Sequence, residues 1–162
     1  MTQTHDAARK AERRDLPQPA ALMAYAGGLP LFIAAILFWF VNETLSASLL
    51  PIMAGYGIAL LAFFGGVRWG VAVMRADGPS FAQLMGAAAP LMAALVLILI
   101  PDLLVKFAAL AILVPLLLWD DLRATRRGSG APDWYLGVRA PLTGFIEVSL
   151  LLILARMIVA PL

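Results

Sequence analysis

Cysteine is absent from the 162 residues, and histidine occurs once, as His5. The first absence excludes disulfides, thiolate metal sites and cysteine nucleophiles. The second leaves no imidazole pair for a metal and no base for a serine triad within the apolar part of the chain. Charge is also scarce: Asp, Glu, Lys and Arg make up 14% of the chain and hydrophobic residues 62%, whereas soluble domains carry about 25% and about 45–50%. With a mean hydropathy of +0.90, the chain reads as an integral membrane protein. No HExxH, CxxC or phosphate-cradling glycine loop occurs. Neither enzyme activity nor a cofactor or metal is therefore expected. The net charge of +2 is assigned to membrane topology, with no nucleic-acid partner expected.

What the chain does have is long apolar runs. A polar tail over 1–19 precedes five runs of spanning length, at about 22–41, 49–74, 81–100, 103–119 and 141–160, since one span needs about 20 residues. The expected fold is an all-α, five-helix transmembrane bundle over 20–162. The tail mixes both signs and ends in Pro17 and Pro19, which suits a mobile segment with at most a short helix from Asp6 to Arg14. Its acids Asp6, Glu12 and Asp15 argue against a transit peptide, and the long apolar run that follows argues against signal cleavage. The short break at Pro101-Asp102 makes the third and fourth helices an expected antiparallel hairpin.

Basic residues fall on alternate sides of these spans. Arg9, Lys10, Arg13 and Arg14 lie in the tail, Arg75 in the second connection, and Arg123, Arg126, Arg127 and Arg139 in the fourth; the first and third have none. The positive-inside rule then places the N-terminus in the cytoplasm and the C-terminus in the periplasm. Lys106 and Arg156, towards the outer side near Glu43 and Asp102, are expected to snorkel to the headgroups.

The second span, GIALLAFFGGVRWGVAVM from Gly57 to Met74, combines packed glycines with a charge and is the expected centre of the bundle. Ala62, Gly66 and Gly70 recur every four residues on one stripe, the small-xxx-small pattern of close helix packing. Arg68 lies opposite, with Gly57, Leu61, Gly65 and Ala72. A charge inside a span costs roughly 2.5–3.5 kcal/mol on insertion scales and needs compensation. Arg68 is six residues from Met74, and Glu147 is six residues from Pro141, so both lie about 9 Å below the cytoplasmic surface at 1.5 Å per residue. An intramembrane pair of Arg68 with Glu147, assisted by Thr143, is the expected arrangement. Such a pair either fixes helix register or lines a polar cavity for a headgroup, a proton or a small solute. In the fourth connection, Asp120 and Asp121 are expected to be neutralised by Arg123, Arg126 and Arg127, forming a solvated loop or a docking site for a partner.

Two segments carry a resemblance. Tyr56 to Ala72 and Trp134 to Thr143 are similar to the signature segments of the family called domain of unknown function 3429. Gly65, Gly66, Arg68, Trp69 and Gly70 match its GG-x-[HR]-WG core, and Trp134, Tyr135, Arg139, Leu142 and Thr143 its W-Y…R…LT segment. The resemblance spans about residues 22–160. The family is bacterial and mitochondrial, which implies a bacterial-type inner membrane and a multi-pass protein of unknown activity. The expected role is a non-enzymatic accessory or scaffold that binds another membrane protein or self-associates within the bilayer. The alternative is a small-solute, lipid or proton carrier built on Arg68 and Glu147.

Overall fold

A computed structural model describes residues 16–159. It consists of five helices: α1 (Gln18–Leu37), α2 (Glu43–Val73), α3 (Phe81–Leu99), α4 (Leu103–Arg126) and α5 (Tyr135–Val159). All five are long and apolar enough to cross a membrane. The expected helix over Asp6 to Arg14 lies outside the described residues, as do His5 and positions 160–162.

Local chemistry fixes most helix starts. The Asn42 side chain accepts from the Leu45 amide at 2.9 Å and starts α2 well before Leu49. Ser80 and Gln83 form a reciprocal capping box at α3, with the Ser80 amide donating to Gln83 Oε1 at 2.8 Å. Asp102 caps α4 through the Val105 amide. Each arrangement satisfies amides that have no partner within the first helical turn. A proline lies inside every helix, at Pro30, Pro51, Pro90, Pro115 and Pro141. Neighbouring helices and local adjustment make such interruptions tolerable in membrane segments.

Two boundaries differ from the sequence reading in ways that move charges. α4 does not stop at Trp119 but runs on to Arg126, and α5 begins at Tyr135, ahead of Pro141. Asp120, Asp121 and Arg139 are therefore helical residues on bundle walls. The connection between them shrinks to a short turn that contains Gly128 and Gly130, both at positive φ.

α2 packs chiefly on α3, and α5 packs on both α1 and α4, while α2 meets α4 more lightly. α3 and α4 touch only slightly, so the expected hairpin does not form a packed pair; each helix leans on a different partner. The core lies between α1, α2, α4 and α5, around Leu31, Phe38, Leu61, Phe64, Phe107, Leu110, Ile146 and Leu150. Tyr56 of α2 ties to α1 by donating to the Gly27 carbonyl at 2.7 Å, and the Phe32 and Phe145 rings meet across α1 and α5 at 4.4 Å.

The glycines sort differently from the expected stripe. A Cβ on Gly65 would stand 2.8 Å from the Ala87 backbone oxygen, so α2 and α3 approach closely here. Gly66 and Gly70 have nothing within 4 Å of that position. The Ala62, Gly66, Gly70 stripe thus makes no close helix contact within the bundle at its two glycines. α3 packs against the face that also carries Arg68.

Candidate functional site

The polar cluster sits at the end of the bundle where α2 and α4 finish and α3 and α5 begin. Arg68, in the penultimate turn of the Gly-rich segment of α2, extends towards α4. Its Nε pairs with Asp121 Oδ1 at 2.9 Å, its Nη2 pairs with Asp120 Oδ2, and its Nη1 donates to the Gly86 carbonyl of α3 at 2.9 Å. Every nitrogen of the guanidinium is occupied. Gly86 lies in the first turns of α3, followed by Ala87, Ala88 and Ala89.

Asp121 is the hinge of the cluster. It is 5% exposed, and its second oxygen accepts from Arg139 Nε of α5 at 3.2 Å and from the Tyr135 hydroxyl at 3.4 Å. Arg139, 3% exposed, also donates to Thr143 Oγ1, which in turn donates to the Arg139 carbonyl at 2.9 Å. Its guanidinium carbon stands 3.5 Å from the Phe64 ring centroid, a cation–π contact that supports a charge within the bundle. Two arginines and two aspartates thus balance at one level and join α2, α3, α4 and α5. Because a buried ion is stable only when paired and hydrogen-bonded, this arrangement accounts for the buried Arg139 and the partly buried Arg68.

Glu147 is not part of it. The expected Arg68–Glu147 pair does not form, for a geometric reason. With α5 starting at Tyr135, Glu147 lies at the midpoint of that helix, deeper than Arg68, and the extended α4 brings Asp120 and Asp121 to Arg68 instead. Glu147 Oε2 is buried without a hydrogen-bond partner, and Thr143 serves Arg139. The loop expectation is corrected in the same way. Asp121 is neutralised by Arg68 and Arg139 across helices rather than by its neighbours, while Arg126 and Arg127 are exposed and Arg123 stacks 3.6 Å from the Trp119 ring centroid.

A cavity of about 550 Å³ opens beside the cluster, lined by Arg68, Arg75, Gln83, Asp120, Asp121, Arg127 and Tyr135 among others. Arg75 borders it but is held by Asp77 at 2.9 Å and by the Gly128 carbonyl at 3.0 Å. At the other end of the bundle the Arg156 guanidinium lies 5.5 Å from the Phe38 ring centroid. Sequence reasoning missed the Asp121–Arg139 link, although Arg139 and Thr143 at four-residue spacing on one helix face were a usable signal.

Five membrane-length helices locked at one end by an interhelical ion cluster define a multi-pass membrane protein. The profile of the family described as Protein of unknown function (DUF3429) matches residues 16–155, and the chain belongs to that family. Transmembrane protein 69 of Xenopus tropicalis is 30% identical over 133 residues, which cover 80% of this chain and 51% of that protein. The chain thus spans about half the length of this relative. No solved structure matches. The two signature segments supply Arg68 and Arg139, and these meet on either side of Asp121.

Proposed function

We propose that this chain is a non-enzymatic accessory or scaffold protein of a bacterial-type inner membrane, where it binds another membrane protein. The observation that carries this reading is the closed coordination of Arg68. With all three nitrogens engaged by Asp120, Asp121 and Gly86, the charge is used to hold α2, α3 and α4 together. Beyond the cluster the interior is filled by Leu61, Phe107, Leu110, Ile146, Leu150 and Ile153. Buried polar side chains outside the cluster are, among the described residues, Ser46 and Ser149, too few to line a path for a solute. The carrier alternative required Arg68 to face Glu147, and that pair is absent.

The orientation belongs to the same proposal. The alternation of basic residues supports a threading with the N-terminus and the ion cluster on the cytoplasmic side and the C-terminus in the periplasm. Extraction of the natively expressed protein in a mild detergent, followed by mass and composition analysis, tests the role. A different membrane protein at fixed stoichiometry is the expected result. Recovery of this chain with no other protein would overturn the scaffold reading.

A further inference from the structure

Among the described residues, Glu147 is a carboxylate within the spans that has neither an ion pair nor a hydrogen bond. It lies at the midpoint of α5, half-buried, with Oε2 sealed against the bundle and no hydrogen bond or ion pair to either oxygen. Two other buried polar atoms lack partners among the described residues, Ser46 Oγ and Arg139 Nη2. Both belong to fully enclosed residues, and Arg139 already has Asp121, Thr143 and the Phe64 ring. Glu147 differs because it sits at the edge between the packed and the outward faces of its helix. In hydrocarbon no water completes an unmade hydrogen bond, and among the described residues none supplies the partner.

We infer that α5 carries a self-association face on which Glu147 of one copy hydrogen-bonds Glu147 of a second copy. Copies inserted with one orientation hold this side chain at one depth, so a two-fold axis along the membrane normal brings like to like. A carboxyl in its acid form has one O–H donor and a carbonyl acceptor, and two of them satisfy each other without a third group. A cation from the second copy is not on offer at this level. Arg68 and Arg139 are committed to Asp121, and Lys106 and Arg156 lie near the opposite end of their helices.

The outward face beside Glu147 suits helix contact. Gly144, Val148, Leu151, Ala155 and Ile158 are exposed at alternating spacings of four and three, the seam of a left-handed helix pair. A Cβ on Gly144 would meet nothing within 4 Å, which leaves the backbone open to close approach three residues from the carboxyl. This inference stands apart from the scaffold proposal, since copies can pair with or without a further protein.

The chain has no cysteine, so introduced thiols report contacts without background. Val148→Cys and Leu151→Cys, reconstituted in phospholipid vesicles at low protein density and oxidised, are expected to give disulfide-linked dimers. Ile52→Cys on α2 and Ile112→Cys on α4, equally lipid-facing, are expected not to. Adding Glu147→Leu should weaken association about tenfold, the worth of one interhelical hydrogen bond in lipid, while Glu147→Gln, whose amide both donates and accepts, should preserve it. Neither substitution places an unpaired charge in the membrane, so both variants should insert. Absence of seam dimers, equal crosslinking at the controls, capture of a different chain by the seam cysteines, or full association of Glu147→Leu would each overturn the inference.

Discussion

Asp121 pairs with two arginines at once, Arg68 of α2 and Arg139 of α5, because it is the residue of α4 placed between those helices. Replacing it with Ala leaves Arg68 with Asp120 alone and Arg139 with no acid. The expected cost is roughly 3–5 kcal/mol, the penalty for breaking a buried pair, read by unfolding in mixed micelles of rising denaturing detergent. Coupling locates the partner. Arg68→Ala with Asp121→Ala should deviate from additivity by roughly 0.5–3 kcal/mol, whereas Arg68→Ala with Glu147→Ala should add. At the turn between α2 and α3, hydrogen bonding to Arg75 holds the Asp77 carboxyl below its usual range. A depressed carboxylate contributes stability that is present above its unfolded pKa and lost as pH falls through its folded value. Arg75→Gln should shift the Asp77 titration, followed by carboxyl NMR, upward, with the backbone hydrogen bond to Asp77 still lowering it.

At the scale of the helix, the α2–α3 contact depends on one missing methyl group. Gly65→Ala would press a Cβ against the Ala87 carbonyl, and because that atom is backbone the helices must separate. A loss of roughly 1–3 kcal/mol is expected, as for overpacking elsewhere. Gly66→Ala, with open space at the same position, should be neutral or gain up to about 1 kcal/mol from helix propensity. A thermal or detergent melt of the two variants separates a packing glycine from an unconstrained one. The distinction was hidden in the sequence because adjacent glycines differ by about 100° around the helix, and four-residue spacing alone does not say which stripe meets a neighbour. Capping was more legible: Ser80 with Gln83 and Asp102 mark the starts of α3 and α4 by chemistry local to each turn.

For the whole molecule, the ion cluster gathers four helices at one end while apolar side chains close the rest. The proposed threading puts that end in the cytoplasm. A reporter fused at Leu162 should therefore be periplasmic, and cytoplasmic accessibility of the reporter would invert the threading. The family match extends over residues 16–155 and so takes in both Arg68 and Arg139, the arginines that meet at Asp121.

Hydropathy and length by themselves determined the membrane class, the all-helical fold and the number of spans, since a lipid-exposed backbone must satisfy its own hydrogen bonds and helices do so locally. The residues of the cluster were visible as polar positions in apolar surroundings, but their pairing was not. Equal depth counted from assumed helix ends put Arg68 opposite Glu147. Continuation of α4 to Arg126 and the start of α5 at Tyr135 moved those depths and delivered Asp121 instead. Which helix stands beside which is settled by packing between distant segments. Only the tertiary structure decided that α2 leans on α3 and α4 while α5 leans on α1 and α4, leaving Glu147 without a partner among the described residues.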